Sequence, residues 1–375
     1  MTAPSIQHNP KQNKEVTPLE LFFDLAFVFA VSQLSHHLLE HLSWRGAAET
    51  LVLLLAVFTV WFTTSWTATM IPVDEPRTRR MVLTVMLLGL FMNASIPAAF
   101  TTSGWAFVIP FLLIHLGRTV WTLVNAPDTV FREHYFRTLT WLIATSPLWI
   151  AGAIVSPEAR LLWWGVAAGI DLIGRWLAHP IPGRWLHSEN VGFAGGHMLE
   201  RCQLFLIIAL GETVLTTGTA IAAAPMTLMT VVTGTAALAG TVALWALGFG
   251  RAGRFVLQYV EETSDPVRAS RHAGNVLLVM VAGLIAVAVA NEEVITHPHE
   301  YSSIILSVLF CGGPILFLLA QGWYYSHMLQ VWPRMHLIGS AALLLAGLVA
   351  MAVPLYVTLI LVGGILTTLA IIDRP

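Results

Sequence analysis

A chain of 375 residues that is 56% hydrophobic and only 11% charged does not fit a soluble globule, because an ordinary soluble domain carries about 25% charged side chains. Its mean hydropathy is +0.73. Its net charge of −2 excludes the basic field that nucleic-acid binding requires.

Residues 81–117, 213–250 and 335–372 contain no Asp, Glu, Lys or Arg. Each run exceeds the roughly 20 residues of one membrane crossing, so each holds most of a hairpin of two. A β-barrel is excluded, since its strands are shorter and alternate in polarity. The fold class is therefore all-α, a polytopic transmembrane helical bundle. Cys202 and Cys311 stand alone in apolar context and indicate no redox compartment.

In chain order, residues 1–17 form a polar cytoplasmic tail without the pattern of a cleaved signal peptide. About 12 spans follow, near 18–40, 47–71, 81–100, 105–124, 136–155, 160–178, 197–219, 226–250, 272–291, 302–322, 335–351 and 354–372. The turns at 101–104 and 351–354 are the weakest divisions, so ten or eleven spans also fit. With the N-terminus inside, Lys11, Lys14, Arg77, Arg79, Arg80, Arg132, Arg184, Arg251, Arg254, Arg268, Arg271, Arg334 and Arg374 are cytoplasmic, and only Arg45 and Arg160 are external. That asymmetry predicts a bacterial cytoplasmic-membrane protein with both termini cytoplasmic. Trp44, Trp105, Trp163 and Trp164 mark the outer interface, and Trp141, Trp176, Trp185 and Trp332 the inner one.

Short matches suggest two parallel six-helix repeats, 18–178 and 197–372, joined by a cytoplasmic linker at 179–196. Glu20 matches Glu200, Trp61 matches Trp245, and the loop from Asp74 to Arg80 matches the one from Asp265 to Arg271. A compositionally narrow apolar chain also produces such matches without duplication.

The informative residues are charges inside the spans. A charge at the hydrocarbon centre costs roughly 2.5–3.5 kcal/mol on the insertion scale, so it must be paired, wetted or protonated. Glu20 and Asp24 are four apart on one face of the first span. The seventh span carries His197, Glu200, Arg201 and Glu212. Arg201 and Glu212, eleven apart, share a face about 16 Å apart along the axis. The fourth span carries His115 and Arg118, and the sixth carries Asp171 and Arg175 at the spacing of a helical ion pair.

These depths predict an inner-leaflet network of Glu20, Asp24, Glu200, Arg201, Arg118, Asp171 and Arg175, with Asp171–Arg175 as a structural clamp. Gln33, His36 and His37 sit in the outer headgroups or line a vestibule, and Asn93, Asn275 and Asn291 can bond across helices. The loop pair His297 and His299 is a weak metal signal, and no metal or cofactor is expected. No phosphate loop, nucleophile elbow or zinc-protease helix occurs.

Glu20-Leu21-Phe22-Phe23-Asp24-Leu25, followed by Phe27-Val28, resembles the opening signature of the bacterial low temperature requirement A family. His197-Met198-Leu199-Glu200-Arg201, followed by Ile208-Ala209-Leu210-Gly211-Glu212, resembles its second signature. The resemblance covers nearly the whole chain. It implies a bacterial multi-pass membrane protein named for a cold-growth phenotype, points to Glu20, Asp24, Glu200, Arg201 and Glu212, and names no ligand.

Three functions fit. The first is a proton- or ion-coupled secondary transporter of a small molecule, in which Asp24 and Glu212 carry the proton or ion, Arg201 tunes them and Arg118 attracts an anionic group. The second is an intramembrane enzyme acting on a lipid-like substrate. The third is a non-catalytic sensor or membrane-organising protein, whose only certain partner is the bilayer. A cavity touching Glu212 would point to transport, one opening to lipid near Arg118 or Arg175 to an enzyme, and none to structure.

Overall fold

The computed structural model describes residues 16–102, 104–183, 193–250, 259–260, 263–330 and 333–372. Nearly all of the polar tail and half of the 179–196 linker lie outside the described residues, as do Lys11, Lys14, Arg184, Trp185, Arg251, Arg254, Trp332 and Arg374.

The described residues form twelve α-helices: α1 Pro18–Glu40, α2 Trp44–Met70, α3 Pro76–Ala94, α4 Gly104–Asn125, α5 Thr129–Ile154, α6 Pro157–Trp176, α7 Gly195–Ala223, α8 Leu228–Gly248, α9 Pro266–Thr296, α10 Ile304–Leu329, α11 Arg334–Ala350 and α12 Leu355–Ile372. Eight of them, α1, α2, α4, α7, α8, α9, α10 and α12, are long and apolar enough to cross a membrane. The other four fall short for visible reasons. Arg77, Arg79 and Arg80 open α3; Arg132, Glu133 and Arg137 load α5; four charges interrupt α6; and α11 has 17 residues.

Local chemistry sets the helix starts. Pro18, Pro76, Pro157 and Pro266 stand in the first turn, where their missing N–H costs nothing. Thr17 and Glu20 form a reciprocal capping box on α1, while Asp128, Thr227 and Ser303 cap α5, α8 and α10. Helix α3 starts earlier than the hydropathy indicates, with Pro76 in its first turn ahead of the three arginines. It ends at Ala94 in a 3₁₀ turn, Ile96–Ala98.

Helix α9 is the axle of the bundle, with 89% of its most apolar window buried. It meets α10 backbone to backbone: a Cβ on Gly283 would sit 2.5 Å from the Gly313 carbonyl oxygen. In the first half α1 packs on α2 and α3, α3 on α4, α4 on α5, α5 on α6, and α6 returns to α2. In the second half α7 packs on α8 and α9, α9 on α10, α10 on α11, α11 on α12, and α12 returns to α8. The halves meet where α1 and α2 pack on α7 and α9. The residues that suggested a duplication differ in setting: Trp61 is fully buried and Trp245 half exposed, Glu20 is buried and Glu200 exposed.

Candidate functional site

Two polar features occupy the end of the bundle where α1 begins. The first joins α1, α2 and α7. Arg201 donates from Nη2 to Asp24 Oδ1 at 2.5 Å, and its Nη1 lies 3.7 Å from Glu20 Oε1. Trp61 on α2 donates its indole N–H to the same Asp24 oxygen at 2.7 Å. His197, one turn before Arg201, places Nε2 3.4 Å from Glu20 Oε2, and its Nδ1 meets Thr69 Oγ1 at 3.1 Å. Glu20 Oε2 also accepts from the Thr17 backbone N–H and hydroxyl, both at 2.9 Å. The Arg201 guanidinium lies over the Phe23 ring, 5.5 Å from its centroid. Glu20, Asp24, His197 and Arg201 are each at least 97% buried. Charges held this dry are stable only in company, and removal of one partner of a buried pair costs about 3–5 kcal/mol.

The second feature is a cavity of about 50 Å³ between α2, α4, α5, α6 and α9, large enough for a few waters. Its polar lining is almost wholly cationic or neutral: Arg118, Arg175 and Arg271, with His134, His179 and Tyr135. Arg118 donates to the Thr63 carbonyl at 3.1 Å, and its Nε has no partner. Among the described residues Arg175 donates only to Thr59 Oγ1, at 3.4 Å, and lies over Phe58 and Phe62, leaving Nε and Nη2 unbonded. Both are at least 96% buried, and among the described residues no carboxylate stands within ion-pair distance of either.

The expected Asp171–Arg175 clamp is therefore not a direct ion pair. Asp171 takes the Trp149 indole N–H at 3.0 Å instead, and the arginine turns to the cavity.

The cavity floor is the chain leaving α6. Ala178 and His179 both adopt left-handed backbone, φ 58° and 53°, and the His179 N–H donates to the Gly174 carbonyl at 2.6 Å. Burial, reinforced by the positive fields of His134, Arg137, Arg175 and Arg271, holds the His179 imidazole well below its ordinary pKa. It stands in the cavity as a neutral ring, with Nδ1 on Thr138 Oγ1 at 3.2 Å.

Glu20, Asp24, His197 and Arg201 of the first cluster lie in the two sequence signatures, and the family model for Bacterial low temperature requirement A protein (LtrA) matches residues 15–371. The chain belongs to the LtrA family. One relative is an uncharacterized protein of Rhizobium meliloti (strain 1021). It is 30% identical over 343 residues, which cover 90% of this chain and 83% of the relative. No solved structure matches significantly. The protein is thus a multi-pass membrane protein of a bacterial family.

Within this LtrA chain the expected network is divided. Glu20, Asp24 and Arg201 come together with His197. Arg118 and Arg175 belong to the cavity, and Glu200 is exposed outside both groups. Glu212 is buried farther along α7, where Thr216 Oγ1 approaches its carboxylate at 3.4 Å, and its field reaches Glu292 near His36 and Glu293. None of the cavities described here touches it.

His115 is buried against Phe111, with both ring nitrogens unbonded. Asn93 bonds across to the Ala26 carbonyl at 3.2 Å. His37, placed in headgroups or a vestibule by sequence, is instead buried against Glu49, which also accepts from Arg45. His297 meets Glu293 at 3.5 Å, and among the described residues no cluster of three or more His, Cys, Asp or Glu side chains is set for a metal. Sequence reasoning missed Trp61, Thr69, His134, Tyr135 and His179. It counted Arg271 only as a loop charge, although its position near the start of α9 was legible.

Proposed function

We propose that this LtrA-family protein is a secondary transporter of an anionic small molecule, which binds between Arg118 and Arg175 on the cytoplasmic side of a twelve-span bundle. The observation that carries the reading is the pair of buried guanidiniums with unbonded N–H groups and, among the described residues, no carboxylate within ion-pair distance; Asp171 attracts Arg175 only from beyond that distance. Each such charge costs several kcal/mol to bury, and an anion between them recovers that cost through charge-assisted hydrogen bonds. The repeated order of helix packing in the two halves supports a parallel six-helix duplication, an architecture found among transporters. The basic ends of α3, α5 and α9 support a cytoplasmic orientation of this face by the positive-inside rule.

In this mechanism the anion is the substrate, and the junction of α1 with α7 is the element whose ion pairs change when the halves move. Asp24 and Glu212 are the candidates for the coupled proton or ion. The test has two stages. Purified protein is heated with sulfate, phosphate or succinate, and the anion that stabilises most is offered to proteoliposomes across a pH gradient. Stabilisation that Arg118→Gln and Arg175→Gln abolish, with uptake lost in Asp24→Asn or Glu212→Gln, is the expected result. If no anion stabilises the wild type, the proposal fails.

A second reading is an intramembrane enzyme using general acid–base chemistry on a lipid-like anion, and three observations favour it: none of the cavities described here touches Glu212, a groove on the outside of the bundle reaches Arg118, and His134, His179 and Tyr135 stand beside the arginines. Turnover of a bound lipid without net transport would select it.

A further inference from the structure

Arg118 lines more than the inner cavity. It also contributes to a groove of about 390 Å³ on the outside of the bundle between α3 and α4. The groove is graded along its length. Arg77 and Arg80 on α3 and Arg118 and Trp121 on α4 stand at the basic end; Val85 and Leu88 face Leu113 and Ile114 toward the membrane interior. From Arg77 to Leu88 is eleven residues, about 16 Å of helix. A charged end at the depth of phosphates and an apolar end at the depth of acyl chains match a lipid, and the charges select a negative one.

Arg118 is 3% exposed, and its Nε has no partner. It is the one side chain lining both the groove and the cavity that holds Arg175 and Arg271. The guanidiniums thus form a series from surface to interior: Arg77 and Arg80 exposed, Arg118 at the wall, Arg175 inside.

We infer that the α3–α4 groove is a lateral portal through which an anionic lipid of the inner leaflet presents its phosphate headgroup to Arg118, so that the anion handled by the cavity is the head of an amphiphile. The inference rests on the cavity being an anion site. It adds the substrate class and the route of entry from the bilayer rather than from water.

Gly117 offers a direct test. It lines the groove, and a Cβ there would meet no atom within 4 Å. In Gly117→Trp the side chain therefore leaves the backbone into open space, and its indole fills the groove. Full-length protein is purified in mild detergent, incubated with phosphatidylglycerol or phosphatidylcholine of identical chains, and scored for retained lipid by native mass spectrometry. Sulfate-dependent thermal stabilisation is read on the same samples.

Wild type should retain phosphatidylglycerol over phosphatidylcholine by roughly 30- to 150-fold, the worth of two or three basic contacts at a membrane surface. Gly117→Trp should lose that preference and keep the sulfate response. The double variant Arg77→Gln/Arg80→Gln changes only exposed side chains, so it secures the test should the tryptophan variant misfold, and it should weaken the preference in the same direction. Equal retention of the two lipids by wild type, or an undiminished preference in both variants, overturns the portal while leaving the cavity intact. A wild type that sulfate, phosphate and succinate all fail to stabilise overturns the cavity and the portal with it.

Discussion

Replacing Arg201 with Met should be among the most damaging single changes in the chain. The substitution keeps most of the side-chain volume and removes the only guanidinium within 4 Å of Glu20 and Asp24 among the described residues. Asp24 would keep the Trp61 indole, and Glu20 would keep Thr17 and His197. Two carboxylates at no more than 1% exposure would then lack their guanidinium. Breaking a buried pair in this way costs about 3–5 kcal/mol, whereas replacing both partners by apolar groups is often neutral. Arg201→Met/Asp24→Leu should therefore regain the part of the loss that comes from Asp24, while Glu20 still lacks its guanidinium, with a coupling of about 1–3 kcal/mol in a double-mutant cycle. Equilibrium unfolding in mixed micelles, followed by tryptophan fluorescence, measures all four corners. A double variant whose loss equals the sum of the two single losses would refute the claim that these charges are held as a unit.

Trp61→Phe keeps the packing against Phe205 and removes the donor to Asp24, so it should cost about 1–3 kcal/mol in the same assay. Gly283→Val forces side-chain carbon against the Gly313 carbonyl oxygen and should separate α9 from α10, costing at least about 1–3 kcal/mol; a neutral result would contradict the close approach. His179 is neutral in the folded protein because its folded pKa is depressed below the unfolded value of about 6.5. Its contribution is present above that pH and lost as pH falls below it, so thermal stability should drop from pH 7 to pH 5, and His179→Gln should flatten the drop. Arg175→Gln should abolish sulfate stabilisation while raising the stability of the sulfate-free protein, since it removes a buried charge with no paired carboxylate among the described residues.

The helices were legible wherever composition alone decides them: apolar runs flanked by prolines and hydroxyl caps became helices at nearly the expected places. Of the twelve expected spans, those at α3, α5, α6 and α11 correspond to helices that are not both long and apolar enough to cross a membrane; in the first three, arginines dilute hydropathy although the helices continue through them. At the site, Glu20, Asp24 and Arg201 announced themselves as charges that apolar surroundings must compensate. Which partner each would find depends on how helices are rotated about their axes, and spacing does not carry that information. Glu200 adjoins Arg201 in sequence yet points about 100° away around the helix, into exposure. Asp171 and Arg175 have the spacing of an ion pair, but an indole from a neighbouring helix captures the acid. Trp61, Thr69 and Tyr135 carry no charge, so nothing in the sequence separated them from ordinary packing residues.

The carboxylate of Glu20 serves two structures made at different times. Within α1 it completes the cap with Thr17, and across the bundle it meets His197 and Arg201. Asp24 and Arg201 are 177 residues apart in the chain. At about 5–20 residues per second, the leading helix waits roughly 10–35 seconds for its cation during synthesis. Until then its acidic face has to stay near the translocon or the aqueous boundary, so final seating of the first segment belongs to the second half of biogenesis.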